Sequence, residues 1–594
     1  MRWTKLVALS AAGVTAVSLA ACSSGGPSGS GGSGSGSGSN NNSAAAQQTD
    51  AAQAVTNPNL KGPAPAVAGA KKGGTLYIDD SSNPPTMDPA GIYYVDSNAF
   101  ATQYMYRTLT QYQIVKGKPV LVPDLAENVG VPSADGLTWK FKIKPGLKYS
   151  DGSPVKIEDF VYGMERSFAK ESVALNGTDY QRQYLVDGKT YLGPYKQPNA
   201  NFKGVTTEGG DTLVFHLVTK VPSFNYFASF PEFTPVPKAK DTKGDYQKHP
   251  LTTGPYKVDS YNIGSKLLLS RNANWDASSD PVRHAYPDKI QINLAITDLA
   301  SQQRVLANSG AGANTVNIGA IDASLASKVT GAQKNQFAIG PSSCEYYVNM
   351  NVNKIPLNIR KAIGYAYPWD QIRKASGLST LNYQPATTYA APSLQGYKKY
   401  PALPYATGQG TGDPAKAKAI LQAANKLGFE LSYYYTGDNP QSVAANTARK
   451  AGLVAAGFKV KDIPIPKAER TKKIADPKAP VNMLQGTPGW CYDWPTGDSV
   501  YPVLFSGEGI PDGTTVGQFK NAAVNAEMDK IGKMDPTKAA PEWAKLDQEI
   551  MTKYVPGLPD NYSMNTATFG KNVKNVGLNP IISMPSLSQL WVSN

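Results

Sequence analysis

The sequence predicts an α/β protein of two or three domains. A strand, a helix and a second strand follow one another between Phe429 and Val460, which is typical of a parallel unit with a right-handed crossover. An alternating strand from Leu137 to Ile143 precedes an amphipathic helix from Ile157 to Phe168. About 520 residues follow a low-complexity N-terminal stretch, which is enough chain for two or three domains.

The N-terminus has the pattern of a secretory signal. A short basic start precedes an apolar stretch from Leu6 to Ala21, which is too short to span a bilayer comfortably. Leu19-Ala20-Ala21-Cys22 fits a bacterial lipobox, where small residues precede a cysteine that becomes lipidated. We therefore expect a signal peptide over 1–21 and an anchor at Cys22, on the extracytoplasmic face of the cell membrane. The alternative is a signal cut nearby, with Cys22 incidental.

A tether is expected over residues 22–73. This stretch consists of Gly, Ser, Asn, Ala, Gln and Pro with scarcely any large apolar side chain. Such a composition cannot bury enough surface to offset the entropy of ordering, so we predict disorder. A flexible chain of this length spans roughly 40 Å.

Composition and charge exclude one class of function. The formal net charge is +14, but the basic residues are dispersed, and neither a basic stripe nor a known nucleic-acid module is present. We therefore expect no nucleic-acid partner. The chain has 33 Tyr and 8 Trp, which is typical of ligand-contact surfaces and also common in secreted proteins.

Two cysteines remain after Cys22, namely Cys344 and Cys491. In an oxidising compartment they favour one disulfide, which would stabilise the fold by about 4–5 kcal/mol in the chain-entropy model. The alternative is two free buried thiols.

Local signals place several further elements. A strand is predicted at Thr75–Ile78 and a helix at 98–109. Asp413-Pro414 is a strong helix start, with Asp as N-cap and Pro at the first position, and Gly428 is the predicted end. A second helix is predicted from Asn439-Pro440 to near Gly457.

The segment from Gly489 to Gly497 is the strongest candidate for a ligand site. It holds two tryptophans, a tyrosine, a cysteine and the carboxylate of Asp493. Aromatic faces suit a mostly apolar ligand, and a carboxylate in a partly dry pocket favours a cation. Taken alone, a core loop in which Asp493 caps a turn is the stronger interpretation, by roughly two to one.

A longer pattern points to a family. Between Asp124 and Arg166 the motifs are Asp135-Gly136-Leu137-Thr138-Trp139-Lys140-Phe141, Asp151-Gly152-Ser153-Pro154 and Glu158-Asp159-Phe160-Val161-Tyr162. With Thr253-Gly254-Pro255-Tyr256 and the helix Pro356–Ala366, they resemble the signature of family-5 extracellular solute-binding proteins of peptide-type ABC importers.

This resemblance implies a large type II fold of the periplasmic-binding-protein class. Two lobes close on a ligand about a hinge, and an additional α+β domain is present. The expected bounds are 74–107, 236–327 and 561–594 for lobe I, 108–235 for the extra domain, and 328–560 for lobe III.

The resemblance also implies site residues. Cys344-Glu345-Tyr346-Tyr347 and Gly489-Trp490-Cys491-Tyr492-Asp493 look like the oligopeptide-binding branch, where the two cysteines pair and the aspartate holds the α-ammonium of a peptide. The expected ligand-binding residues in this segment are Gly489, Trp490, Cys491 and Asp493. Tyr93 and Val95 align with a segment whose backbone pairs with an extended peptide. Some relatives carry an arginine six residues before the aspartate, where this chain has Thr487.

The implied function is the capture of peptides and their delivery to a membrane permease and its ATPase. We expect a monomer without a cofactor, anchored to the lipid bilayer through Cys22. The same fold binding an oligosaccharide or a metal complex is one alternative, since fold does not fix ligand. A cell-surface adhesion or signalling lipoprotein without transport is another.

An enzyme is disfavoured by the motifs. The pairs Ser153/Lys156 and Ser167/Lys170 fit the loose S-x-x-K spacing of serine acyl-enzymes, but the companion motifs are missing. The three histidines show no metal-ligand spacing, so we expect no metal site.

Overall fold

The computed structural model describes residues 55–593, all within one compact unit. The predicted signal peptide, Cys22 and the tether up to residue 54 lie outside the described residues. Within 55–593, no helix is both long enough and apolar enough to cross a membrane.

Strands occur along the whole described chain. In order they are β1 Val55–Thr56, β2 Thr75–Asp79, β3 Thr110–Val115, β4 Lys118–Pro123, β5 Val131–Pro132, β6 Thr138–Lys142, β7 Val205–Glu208, β8 Thr212–His216, β9 Tyr256–Asn262, β10 Lys266–Arg271, β11 Lys289–Asn293, β12 Thr315–Asn317, β13 Phe337–Asn349, β14 Tyr383–Pro385, β15 Glu430–Thr436, β16 Lys459–Ile465, β17 Gly489–Cys491, β18 Gly557–Phe569, β19 Val573–Lys574, β20 Leu578–Asn579, β21 Met584–Pro585 and β22 Trp591–Val592.

Helices alternate with these strands. The α-helices are α1 Val95–Phe100, α2 Ile157–Arg166, α3 Tyr180–Tyr184, α4 Phe224–Phe227, α5 Asp298–Leu306, α6 Ala326–Thr330, α7 Leu357–Ala366, α8 Trp369–Ala375, α9 Pro414–Ala423, α10 Pro440–Ala455, α11 Arg470–Ala475, α12 Tyr501–Phe505, α13 Ala522–Gly532 and α14 Pro536–Glu549. Helices α1 and α14 continue into π-helical turns, Ala101–Met105 and Ile550–Tyr554.

The largest sheet has nine strands. Its order is β17-β13-β18-β12-β2-β11-β10-β9, with β14 also paired to β18. β2 runs parallel to β11 and β12, while β13 and β18 pair antiparallel. The strand predicted at Thr75–Ile78 is β2, and its Leu76 and Ile78 are completely buried. The long strands β13 and β18 join distant parts of the chain in one sheet.

A four-stranded sheet, ordered β5-β6-β8-β7, confirms the predicted alternation for Thr138–Lys142 but not at Leu137, which precedes β6 and is exposed. Trp139 and Phe141 of β6 are buried, whereas Lys140 and Lys142 are exposed. The predicted amphipathic helix is α2, which ends two residues earlier than expected. The carboxylate of Asp159 accepts the backbone N–H of Lys156 at 2.9 Å and so fixes the first turn of α2.

The predicted strand–helix–strand unit is β15, α10 and β16, and its two strands pair in parallel. Helix α9 starts as predicted, because the side chain of Asp413 accepts the backbone N–H of Lys416 at 2.9 Å. It ends at Ala423 rather than Gly428. Asn425 takes a φ of +51°, a left-handed conformation that terminates the helix before the glycine is reached.

The helix predicted at 98–109 begins earlier and ends earlier. Helix α1 starts at Val95, and its π-helical continuation ends at Met105. Tyr106 then adopts an extended backbone, with φ of −114° and ψ of +135°, so the chain cannot continue as a helix.

The prediction of a disordered tether was wrong for residues 55–73. β1 pairs in parallel with β4, and the side-chain ammonium of Lys144 donates to the carbonyl of Lys61 at 2.9 Å. Further along, the N–H of Val67 donates to the Tyr286 hydroxyl at 3.2 Å. Composition missed this because the segment is held by its backbone groups rather than by large apolar side chains.

Candidate functional site

Strand pairing and a disulfide fix the start of the loop that carries Asp493. β17 pairs antiparallel with β13, which sets Cys344 opposite Cys491, and the two cysteines form the predicted disulfide. A Cβ atom at Gly489 would lie 2.5 Å from the carbonyl oxygen of Glu345. The close approach of the two strands therefore requires glycine at this position.

Asp493 accepts two hydrogen bonds from tyrosine hydroxyls. Tyr93 donates to Oδ2 at 3.0 Å, and Tyr180 donates to the same oxygen. Within residues 55–593, no donor reaches Oδ1. The site thus joins three distant parts of the chain and leaves one carboxylate oxygen for a further donor.

Burial changes the ionisation of this site. Burial raises the pKa of Asp493 to about 7, although the hydroxyls of Tyr180 and Tyr93 act in the opposite direction. Burial also raises the pKa of the nearby Glu232 to about 7, and the charge of Asp493 contributes to that rise. A carboxyl group whose pKa lies this far above its usual range is stabilised in its ionised form by a cationic partner.

Aromatic packing supports the aspartate from behind. Trp494 is completely buried, and its ring centroid lies 4.7 Å from that of Tyr180. The rings of Phe227 and Phe230 follow at 6.1 and 6.3 Å. The loop is therefore seated against the 180–230 part of the chain, which limits movement of Asp493.

Two cavities adjoin the site. The smaller, about 40 Å3, is lined by Asp493 and Tyr93 among others. The larger, about 670 Å3, has a wall rich in tyrosine, and Val95 lines both cavities. The tyrosines of the larger cavity are Tyr346, Tyr347, Tyr367, Tyr434 and Tyr435. Its size is that of a pocket for a small organic ligand or short peptide.

The other predicted site residues are placed differently. Cys491 lines the smaller cavity, but Gly489 and Trp490 line neither. The indole N–H of Trp490 donates to the carbonyl of Ser499 at 3.0 Å, so this side chain braces the loop. Thr487 also lines neither cavity.

The segment around Tyr93 contributes a side chain as well as backbone. The carbonyl of Tyr94 accepts the N–H of Asn98 at 2.9 Å, because helix α1 begins here. Tyr93 therefore reaches Asp493 through its hydroxyl, a role that the expected backbone pairing did not include.

Sequence reasoning missed two arginines. Arg449 on α10 and Arg470 at the start of α11 line the larger cavity. Arg449 donates through Nε to the hydroxyl of Tyr367 at 2.8 Å, and its guanidinium carbon lies 5.5 Å from the ring centroid of Tyr433. Both arginines sit on lysine-containing helices, so in the sequence they looked like ordinary solvated residues.

The structure gives no support to the S-x-x-K pairs. The hydroxyl of Ser167 donates to the carbonyl of Met164 at 2.7 Å, and the ammonium of Lys170 donates to the carbonyls of Gly177 and Thr178. The described residues contain no cluster of three or more His, Cys, Asp or Glu side chains placed to hold a metal ion.

Comparison with known proteins gives consistent results. The family model described as bacterial extracellular solute-binding proteins, family 5 middle, matches residues 120–512. The periplasmic oligopeptide-binding protein OppA of Salmonella typhimurium is 24% identical over 493 residues, covering 80% of this chain and 85% of that protein. The glutathione-binding protein GsiB of Salmonella typhi is 21% identical over 520 residues, covering 85% and 92%.

Solved structures show the same fold. The clavulanic acid biosynthesis oligopeptide binding protein 2 superposes with a TM-score of 0.79 at 24% identity, covering 92% of this chain and 100% of that chain. The periplasmic binding protein DppA from Helicobacter pylori, in complex with peptide STSA, superposes with a TM-score of 0.65 at 20% identity, covering 88% and 99%. The predicted periplasmic-binding-protein-like fold is confirmed.

Proposed function

The chain belongs to the bacterial extracellular solute-binding proteins of family 5, and from this premise we propose that it captures peptides by their free N-terminus. The observation that carries the proposal is the environment of Asp493. One of its oxygens is held by two tyrosine hydroxyls, and the other faces no donor from the described residues. A peptide ammonium supplies the missing donor and charge together.

The shape of the site supports a peptide of modest length. The larger cavity adjoins the Asp493 cavity at Val95, so a ligand held by its ammonium has room to extend. Tyrosine side chains offer apolar faces and hydroxyl groups without demanding one side-chain chemistry. The relatives described above, which include an oligopeptide-binding and a glutathione-binding protein, favour the same class of ligand.

We propose that binding closes two lobes around the ligand. The site takes Tyr93 from the segment 74–107, Tyr180 from the domain proposed at 108–235, and Asp493 from the lobe proposed at 328–560. A ligand that bridges these parts favours the closed arrangement in proportion to its contacts there. Strand β18 runs from the lobe proposed at 328–560 into the part of lobe I proposed at 561–594, and it is a candidate for the hinge.

The proposed setting is the outer face of the cell membrane. Cleavage after residue 21 and acylation of Cys22 would hold the protein beside a permease and its ATPase, to which it delivers peptides. We propose no enzymatic activity and no cofactor.

Ligand-induced thermal unfolding tests the function. The chain from Ser23 onward is heated alone, with a pool of short peptides, with the same pool N-acetylated, and with a pool of oligosaccharides. Ligand at a hundred times its dissociation constant stabilises by about 2.7 kcal/mol, which raises the midpoint measurably. We expect a shift with free peptides that acetylation abolishes.

The alternatives predict other outcomes. A shift with oligosaccharides alone would keep the fold and replace the ligand, with the cavity tyrosines as stacking surfaces. If free and acetylated peptides shift the midpoint equally, Asp493 is not the amine receptor. Normal peptide uptake after deletion of the gene would favour an adhesion or signalling role.

A further inference from the structure

The larger cavity holds two arginines that lack anionic partners. Among the residues that line it, Arg449, Arg470 and Asp560 carry charge. Within residues 55–593, neither arginine forms an ion pair, and Arg449 contacts the hydroxyl of Tyr367 and the ring of Tyr433, neither of which is an anion. Two positive charges therefore line the cavity without an ion-pair partner among the described residues.

Two other arginines of this part of the chain, Arg360 and Arg373, have partners that Arg449 and Arg470 lack. Arg360 donates to the carbonyls of Val555, Tyr554 and Ile355. Arg373 lies in the same region as the cavity, and it binds the carboxylate of Asp560. Asp560 is thus paired with Arg373, and although its charge also acts on Arg449 from a distance, it forms no ion pair with Arg449 or Arg470.

The two arginines without ion pairs also affect each other. Burial lowers the pKa of Arg470, and the charge of Arg449 lowers it further. Like charges that share a partly dry cavity repel, and this repulsion is relieved when anionic groups enter between them. A single carboxylate compensates one of the two charges, whereas two carboxylates compensate both.

We infer that the cavity selects ligands with two carboxylates at one end, that is, peptides whose last residue is Asp or Glu. The C-terminal carboxylate and the acidic side chain of such a residue are close together, and Arg449 and Arg470 line the same cavity. Planar guanidinium groups suit carboxylates because they donate two parallel hydrogen bonds. The inference rests on the proposed capture of peptides and adds a preference at their C-terminal end.

Matched peptide pools test this preference by calorimetry. Pools of two to five residues share every position except the last, which is Glu in one pool and Gln in the other. We expect the Glu pool to bind at least about tenfold more tightly, because a hydrogen bond between two charged groups is stronger than one to a neutral amide. Arg470→Met should remove most of this difference, and Arg449→Met should do the same.

Lys450→Met is the matched control. Lys450 follows Arg449 on α10, pairs with Asp462 at the surface at 2.7 Å, and does not line the cavity. This variant loses the same charge from the same helix, so it should keep the preference for Glu. Equal binding of the Glu and Gln pools to the unchanged protein overturns the inference, as does loss of the preference in Lys450→Met alone.

A dicarboxylate without an amine separates this inference from the proposed function. If no peptide pool binds, peptide capture fails, and glutarate then tests the arginines directly. Glutarate binding that Arg470→Met abolishes supports the dianion site. Absence of binding by both peptides and glutarate overturns it.

Discussion

Replacing Asp493 by Asn should weaken peptide binding and stabilise the ligand-free protein. The change keeps the size of the side chain and removes its charge. A charge-assisted hydrogen bond to the peptide ammonium is worth about 1.5–3 kcal/mol, so affinity should fall at least about tenfold. Calorimetry with one tightly bound peptide measures this loss.

The expected gain in stability of the ligand-free variant follows from the pKa of Asp493. In the unfolded chain this carboxyl ionises near its ordinary value of 3.8, whereas in the fold burial holds its pKa at about 7. Between these values the folded state binds more protons, so its stability falls as pH rises from about 4 to about 7. The full difference is at most about 4 kcal/mol, at about 1.4 kcal/mol per unit. The amide introduced by Asp493→Asn does not titrate. The free energy of unfolding of the variant should therefore increase relative to that of the unchanged protein as pH rises across this range.

Urea unfolding at pH 5 and pH 8 measures that gain, with ligand removed by refolding. Asp498→Asn is the control for binding, because Asp498 lies in the same loop but lines neither cavity and bonds to Ser223 and Trp494 instead. It should keep discrimination between free and acetylated peptides. Unchanged affinity in Asp493→Asn, or a pH dependence of stability parallel to that of the unchanged protein, would refute the reasoning.

Further outcomes follow from the same contacts. Affinity for free-amine peptides should rise by up to about tenfold per pH unit as pH increases toward 7 and then level off, because only ionised Asp493 attracts an ammonium. A calorimetric affinity that stays constant from pH 5 to 8 would contradict this. Tyr180→Phe removes a hydrogen bond that lowers the pKa of Asp493, so the midpoint of that profile should move up by about one unit, and an unmoved midpoint would show that the contact is weak. Replacing Cys344 and Cys491 by Ala should lower the free energy of unfolding by about 4–5 kcal/mol in urea titrations, and reductant should do the same to the unchanged protein but not to the variant. Deleting residues 23–73 should lower the unfolding midpoint relative to deleting 23–54, since only the longer deletion removes contacts with β4 and Lys144; equal midpoints would show that the segment adds no stability.

The central part of the site was predictable because its signals are local. The loop around Asp493 carries its glycines, aromatic residues and cysteine within nine positions, and the pairing partner Cys344 was the other remaining cysteine after Cys22. The alternation on β6 and the N-cap at Asp413 likewise express interactions between near neighbours.

The rest of the site depends on contacts between distant residues. Tyr180 meets Asp493 across 313 positions, and its own segment carries no pattern that points to the loop. Arg449 is followed by a surface lysine on α10, so only the fold shows that it turns inward to Tyr367. Composition indicated disorder in residues 55–73 because it considers only side chains and takes no account of backbone hydrogen-bond donors and acceptors.

The attachment of residues 55–73 also determines where a pull on the chain is felt. Tension from upstream would reach β1 first, which pairs in parallel with β4 at Val120 and Leu121. The next holding points are the Lys144 contact to Lys61 and the Tyr286 hydroxyl contact to Val67. Strand β2, at the centre of the nine-stranded sheet, comes only after these have given way. A load applied to the chain ahead of residue 55 would therefore meet the contacts of residues 55–73 before it reached the sheet that carries the site.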